Sequence, residues 1–146
     1  MYLPVLLLSL VWLPVTSPAD LEHRIALAVA ITADPGTTAH EARILMRIAR
    51  WEGHYRADVS DCRKKGDSDH AIGPFQHWTF ATDETPERAR ICGSLAEAAL
   101  VARQDVRHSY HVCREYPEPE RLRVYARGRD YKSDEAGRLS RTRWWP

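Results

Sequence analysis

Glu52 interrupts an otherwise apolar helical stripe in the segment RIARWEGHYR, which covers residues 47–56. Leu45 and Ile48 precede it on the stripe, and Gly53 follows directly. A carboxyl group that is partly buried at the negative end of a helix is expected to have a raised pKa, because burial and the helix dipole both disfavour the charged form. Such a group can serve as a general acid. The alternative is a surface carboxylate paired with a neighbouring arginine: Arg47, Arg50 or Arg56.

Two further motifs follow this glutamate. EGHY covers residues 52–55, GPFQ covers residues 73–76 and YARG covers residues 125–128. In this order the three motifs resemble the core of lytic transglycosylases and goose-type lysozymes. Those families place a catalytic Glu at a helix end, an aromatic residue three positions later, a G-x-x-Q turn, and a helical turn containing an aromatic residue and a glycine. The resemblance covers residues 38–128.

The chain departs from the families at several positions. Gly53 lies where transglycosylases usually have Ser, and Ala126 replaces the Asn of the third motif. Pro74 and Phe75 replace the usual Leu-Met before the glutamine. Contacts with substrate are expected to differ accordingly, while the catalytic position, Glu52, is retained.

The resemblance implies cleavage of the β-1,4 bond between N-acetylmuramic acid and N-acetylglucosamine in peptidoglycan. Glu52 would protonate the bridging oxygen. In a transglycosylase it would then accept the proton of the muramoyl 6-hydroxyl, and a 1,6-anhydro ring would close without water. The predicted partner is therefore the peptidoglycan glycan strand, with no cofactor and with the protein as a monomer.

An inverting hydrolase instead needs a second carboxylate that holds a water molecule. Asp67 is the candidate, because it precedes Gln76 by the same spacing as a water-positioning Asp in the goose-type enzymes. Those enzymes have another Asp two residues after the glutamine, where this chain has Trp78. A turn-capping role for Asp67 is equally open.

Other residues are candidates for binding substrate. Gly73 permits a close backbone approach to a sugar, and the Gln76 amide could fix the sugar or orient Glu52. Tyr125 either hydrogen-bonds the Glu52 carboxyl group or lines the cleft, and the alternative is a core residue with its hydroxyl group at the surface. Three aromatic rings are candidate sugar-stacking faces, each with a core position as the alternative: Tyr55, Phe75 and Trp78.

Helical spacing predicts the elements that position these residues. Leu21, Ile25, Ala28 and Val29, with Thr32, are expected on one face of a first helix that ends before residue 34. Capping boxes at residues 38–41 and 94–97 predict two more helix starts, the first ending at Gly53 and the second continuing to Pro117. Shorter helices are predicted at residues 119–127 and from residue 133. Residues 55–85 lack a period, so the prediction is a mainly α fold, α+β and lysozyme-like by resemblance, with one loop-rich or small β lobe after the catalytic helix.

The length of 146 residues predicts one domain. Its first 15 residues carry no charged side chain, which favours a signal peptide or N-terminal anchor within residues 1–19 and a lysozyme-like catalytic domain at 20–146. Such a segment predicts a periplasmic, secreted or phage-associated protein, either released or anchored to a membrane by its N-terminus. The alternative is an apolar segment packed on the domain.

Three cysteines are present in the chain. For an exported protein we predict one disulfide, between Cys62 and Cys92, because these residues bracket the loop-rich segment. Cys113 would then be free. Three reduced thiols are the alternative if the protein is not exported.

Composition excludes several functions. Charged residues make up 28% of the chain and their net charge is +1. The protein therefore has no strong positive potential that would attract nucleic acid. None of the histidines completes an H-E-x-x-H motif, and the cysteines lack metal-ligand spacing, so no metal site is predicted. A non-catalytic module of the cell wall or of a virion, which keeps the cleft, is the alternative to an enzyme.

Overall fold

The computed structural model describes residues 17–144, so most of the predicted signal or anchor lies outside the described residues. The helices and strands run in chain order as follows: α1 Pro18–Thr32, α2 Ala39–Gly53, α3 Ala57–Ser60, β1 Ala71–Ile72, β2 His77–Trp78, α4 Pro86–Gly93, α5 Leu95–Val112, α6 Arg123–Arg127 and α7 Asp134–Leu139. Short 3-10 turns at Glu118–Glu120 and Gly128–Asp130 flank α6, and a π-helical turn at Ser140–Trp144 follows α7. The prediction of a mainly helical fold is confirmed. Among the described residues, no helix has the length and apolar character that a membrane span requires.

Helix α2 begins at the predicted capping box. The Glu41 amide donates to Thr38 Oγ1 at 3.2 Å, and Glu41 Oε2 accepts from the Thr38 amide at 2.8 Å. Its apolar face, which includes Leu45 and Ile48, is fully buried. The helix ends at Gly53, and the left-handed residue after it is His54, with a φ of 49°. The predicted boundaries are therefore correct, but His54 and not glycine adopts the left-handed conformation that ends the helix.

Helix α1 buries only part of the predicted face. Ala28 is buried as expected, but Leu21, Ile25 and Val29 are exposed. The core contains two other side chains of the helix instead, Leu27 and Ile31. The buried face also includes Arg24, which forms a salt bridge with Asp20. Its guanidinium carbon lies 5.0 Å from the centre of the Tyr55 ring. Helix α1 carries two apolar stripes, and its packing on α2 and α5 selects the one that the sequence pattern did not favour.

Helix α5 lies at the centre of the domain. The Ser94 hydroxyl accepts from the Glu97 amide at 3.2 Å, so the predicted N-terminal cap is present. Ala98, Ala102 and Val106 are buried along one face. Small side chains at these positions let α1 and α2 approach closely, because little volume separates the helix axes. Helix α5 therefore supports the two helices that precede the β lobe.

The β lobe is a short antiparallel hairpin in which Ala71 pairs with Trp78 and Ile72 with His77. Arg88 of α4 is buried beneath it. Its guanidinium group donates to the Ala81 carbonyl at 2.7 Å and to the Asp69 carbonyl at 2.9 Å. These charge-assisted bonds fasten the loop segments on both sides of the hairpin to α4.

A disulfide between Cys62 and Cys92 ties the start of the lobe to the end of α4, across a sequence separation of 30 residues. This confirms the predicted pair. Cys113 is a buried free thiol. Because a crosslink restricts the unfolded chain, the disulfide is expected to contribute about 2–4 kcal/mol to stability.

The double variant Cys62→Ala/Cys92→Ala is expected to melt on the order of 10 °C below the wild type, since the lost crosslink raises the entropy of the unfolded chain. Circular dichroism measures the change. Thiol titration of the denatured wild type is expected to find one thiol before reduction and three after. Three thiols before reduction would contradict the disulfide.

Candidate active site

Glu52 lies in the last turn of α2, and its side chain is partly exposed. The preceding residues of the stripe, Leu45 and Ile48, are fully buried. The helix therefore carries the carboxyl group from the core to the edge of the domain. Gly53, the next residue, is buried at the point where the helix meets the β lobe.

The neighbouring arginines each have their own contacts. Arg56 forms a salt bridge with Asp58, which lies two residues farther along the chain in α3. Arg47 Nε donates to the Arg143 carbonyl at 3.3 Å. Arg50 lies over the Trp51 ring, with its guanidinium carbon 5.8 Å from the ring centre.

The backbone of Gly53 contacts the backbone of Pro74 very closely. A Cβ atom on Gly53 would lie 2.8 Å from the Pro74 carbonyl oxygen, a separation that real side chains essentially never adopt. Any residue larger than glycine would push the helix end away from the G-x-x-Q turn. The departure from the usual Ser therefore has a physical reason, and the contact places Glu52 beside this turn.

The turn of residues 73–76 is held by hydrogen bonds to the Gly73 carbonyl. This oxygen accepts from the Gln76 amide at 3.1 Å and from Gln76 Nε2 at 3.0 Å. Gly73 has a φ of 73°, and a Cβ atom there would lie 3.0 Å from Ile91, so both conformation and space require glycine. The Gln76 side chain thus shapes its own turn, and its Oε1 packs against Gly66.

Tyr125 connects the third motif to the same turn. Its hydroxyl group donates to the Phe75 carbonyl at 2.8 Å. Burial raises the pKa of Tyr125, and the nearby negative charges of Asp105 and Glu52 raise it further. The ring therefore lies near both carboxylates. The structure brings together Glu52, the G-x-x-Q turn and Tyr125, as the order of the motifs predicts.

Two of the candidate stacking faces lie in the core. Tyr55 is 7% exposed and its hydroxyl donates to the Met46 carbonyl at 3.0 Å, while Phe75 is 2% exposed. Neither ring offers a face to a sugar, so the core alternative applies to both. Trp78, by contrast, is 47% exposed on β2.

Asp67 is an exposed turn residue with a φ of 48°. Its carbonyl oxygen accepts from the His70 amide at 3.1 Å, and its carboxylate accepts from Trp78 Nε1 at 3.2 Å. Asp67 is therefore part of a turn, and its carboxylate bonds the Trp78 side chain rather than a backbone group of that turn.

Sequence reasoning missed the pair formed by His77 and Asp105, which lies near Tyr125. His77 Nδ1 lies 2.6 Å from Asp105 Oδ2, and His77 Nε2 lies 3.5 Å from Glu87 Oε1. Burial lowers the pKa of His77, but the hydrogen bond and charge of Asp105, with the charge of Glu87, outweigh it and raise the pKa overall. Asp105 follows Ala102 at helical spacing on α5, so a carboxylate on a mostly apolar face was the available signal, as it was for Glu52.

Two cavities lie elsewhere on the protein. One of about 360 Å³ lies between α1 and α5 beside Arg103, and one of about 450 Å³ lies near Arg129. Neither is lined by Glu52. Among the described residues, no group of three or more His, Cys, Asp or Glu side chains has the arrangement of a metal site.

Gly53→Ala is expected to lower the free energy of unfolding by about 1–3 kcal/mol, because the new methyl group meets the Pro74 carbonyl. Urea denaturation measures this change. Gly93→Ala is the matched control: it also lies at a helix end, but an added Cβ has no heavy atom within 4 Å. The control is expected to be neutral or slightly stabilising. Equal effects of the two substitutions would contradict the close contact.

The His77 pair predicts a pH dependence of stability. Because the folded state raises the pKa of His77, its contribution is complete below the ordinary value of 6.5 and is lost as the pH rises through the folded value. The melting temperature of the wild type relative to His77→Asn is therefore expected to be higher at pH 6 than at pH 8. This difference isolates His77 from His23, whose pKa burial lowers. A difference that is constant across this range would contradict the assignment.

Comparisons of the chain with protein-family models, curated proteins and solved structures found no match. The candidate site is therefore defined by its own contacts. These are the approach of Gly53 to Pro74 and the hydrogen bond from Tyr125 to Phe75.

Proposed function

We propose that the protein is a lytic transglycosylase that cleaves the β-1,4 bond between N-acetylmuramic acid and N-acetylglucosamine in peptidoglycan. The observation that carries this proposal is the convergence of three motifs at the end of α2. Gly53 contacts the Pro74 carbonyl, and the Tyr125 hydroxyl donates to the Phe75 carbonyl. Both contacts fix the G-x-x-Q turn beside Glu52.

Glu52 is the proposed general acid and then the general base. Its protonated carboxyl group gives a proton to the bridging oxygen as the glycosidic bond breaks. The resulting carboxylate takes the proton of the muramoyl 6-hydroxyl while that oxygen attacks the anomeric carbon. The proton on Glu52 is thereby restored, and no water is consumed.

Tyr125 has a supporting role in this proposal. Its hydroxyl group donates a hydrogen bond to the Phe75 carbonyl and so holds the turn. Its partly buried ring lies near Glu52, and in this proposal the ring excludes water from one side of the carboxyl group. Exclusion of water favours attack by the 6-hydroxyl over hydrolysis.

The second candidate is a goose-type hydrolase, which needs another carboxylate to hold a water molecule. The Asp67 carboxylate accepts from Trp78 Nε1, and the Asp105 carboxylate is bonded to His77. Each of these carboxylates would have to share its oxygens between its present partner and the water, so we favour the mechanism that needs no second carboxylate.

The proposal includes export or phage association, because peptidoglycan lies outside the cytoplasm. The signal or anchor predicted within residues 1–19 would supply the route. Cys62–Cys92 is consistent with an oxidising compartment, in which disulfides persist.

Glu52→Gln is expected to lower the rate of turbidity loss of purified cell walls by at least about 100-fold, because the amide carries no transferable proton. Glu84→Gln, at an exposed position in the loop before α4, is the matched control and is expected to retain activity. Mass spectrometry of the released muropeptides then identifies the reaction: anhydro ends indicate a transglycosylase, and reducing ends a hydrolase.

Equal clearing of the walls by Glu52→Gln and the wild type would refute the role of Glu52. Sedimentation with insoluble peptidoglycan, without release of soluble fragments by the wild type, would instead favour the non-catalytic wall-binding or virion module.

A further inference from the structure

An aromatic cluster on the β lobe is exposed to solvent. Phe80 is 83% exposed and Trp78 is 47% exposed. The Trp78 ring stacks on the His70 ring with centres 5.1 Å apart and an interplanar angle of 16°. Phe80 meets Trp78 edge-to-face, with centres 4.7 Å apart and an angle of 82°. We call His70, Trp78 and Phe80 the aromatic platform.

Hydrogen bonds hold two rings of the platform, Trp78 and His70, in position. Trp78 Nε1 donates to Asp67 Oδ2 at 3.2 Å, which orients the indole ring. His70 Nδ1 lies 2.7 Å from the Thr79 carbonyl oxygen, which orients the imidazole ring beneath it. Arg88 donates to Thr79 Oγ1 and so fixes the strand that carries these groups. Rings held in this way lose little conformational entropy when they bind a ligand.

Polar groups border the exposed rings. Residues 67–69 are Asp, Ser and Asp, and all three adopt positive φ angles in a tight turn beside Trp78. Their exposed side chains supply acceptors and a hydroxyl group next to an apolar face. A pyranose ring has the matching character, since its C–H faces are apolar and its edges carry hydroxyl and acetamido groups. Rigid aromatic faces with a polar border therefore favour a sugar ring over an aliphatic side chain.

The platform is continuous with the candidate active site. Trp78 follows Gln76 by two residues, a distance of about 7 Å along a strand. Gly66, which precedes Asp67, is bridged to Ala71 of β1 and packs against the Gln76 side chain. The turn beside Glu52 and the platform thus belong to one hairpin, and a polysaccharide held at the turn would extend over the platform.

We propose that the aromatic platform binds an N-acetylhexosamine unit of the peptidoglycan glycan strand, and that Asp67 is a positioning residue that orients Trp78 for this contact. The proposal rests on the function proposed above and adds a binding subsite to it. It also gives Asp67 a role that differs from holding the water of a hydrolase.

The test measures binding of chitotetraose, a soluble β-1,4-linked N-acetylglucosamine oligosaccharide, and of insoluble peptidoglycan. Glu52→Gln protein serves as the background so that no sugar is cleaved. Trp78→Ala and Phe80→Ala are each expected to raise the Kd for both ligands at least about tenfold, because each removes an exposed aromatic ring of the platform. Leu21→Ala, which removes an exposed apolar side chain of α1, is the matched control and is expected to leave the Kd unchanged.

Asp67 is tested by two variants. Asp67→Ala removes the acceptor for Trp78 Nε1 and is expected to weaken binding severalfold. Asp67→Asn keeps an acceptor oxygen and is expected to restore most of the affinity. Loss of binding in both variants to the same extent would overturn the positioning role, since the conservative change would then give no rescue.

The outcomes separate this proposal from the proposed function. An unchanged Kd in both Trp78→Ala and Phe80→Ala overturns the platform, even if the wild type clears cell walls. Platform-dependent binding by a wild type that releases no fragments overturns the proposed function and leaves the platform intact. Sedimentation equilibrium gives one more outcome: a dimer that Phe80→Ala dissociates, with sugar binding unchanged, assigns the platform to self-association and overturns the proposal.

Discussion

The close approach of Gly53 to Pro74 is the constraint on which the arrangement of the site depends. A Cβ atom at residue 53 would lie 2.8 Å from the Pro74 carbonyl oxygen, and both partners are backbone, so neither can rotate away. Glycine at one position and the rigid proline at the other form a matched pair. A chain with Ser at residue 53 would need a more distant turn. The contact therefore explains the glycine at residue 53.

The turn that Pro74 occupies is held from the other side as well. Tyr125 donates to the Phe75 carbonyl, and Phe75 itself is buried in the core. Farther along the hairpin, Arg88 and the Cys62–Cys92 disulfide fasten the lobe to α4. A lobe of two-residue strands has little stability of its own, because short hairpins are marginal in water. These contacts supply the rigidity that a binding site requires.

Local signals predicted the elements correctly where the interactions themselves are local. The capping box of Thr38 and Glu41 involves residues three apart, and its helix begins and ends as predicted. The disulfide followed from the loop that its cysteines bracket. The prediction for helix α1 was wrong in part because the helix carries two apolar stripes, and its packing on α2 and α5, including Arg24 on the Tyr55 ring, determines which one is buried. Such tertiary contacts override a helical pattern.

Part of the candidate site was also predictable from local signals. Glu52, Gly73, Gln76 and Tyr125 form motifs with fixed spacing, and the structure brings their segments together. The assignment of Tyr55 and Phe75 to sugar stacking rested on residue type alone, and aromatic residues serve the core more often than the surface. His77 and Asp105 lie 28 residues apart. Their pairing depends on how β2 packs against α5, and no short motif encodes that contact.

Two carboxylates lie near Tyr125 and have different surroundings. The negative charges of Asp105 and Glu52 both raise the pKa of the Tyr125 hydroxyl group, so an unbalanced Asp105 would add negative charge near the proposed general acid. Asp105 is paired with His77, whose pKa is raised by that carboxylate and by Glu87 in spite of burial. A protonated His77 offsets the Asp105 charge beside Tyr125. Asp105 therefore holds a cation at the edge of the lobe, whereas Glu52 is the group that exchanges a proton with the sugar in the proposed function.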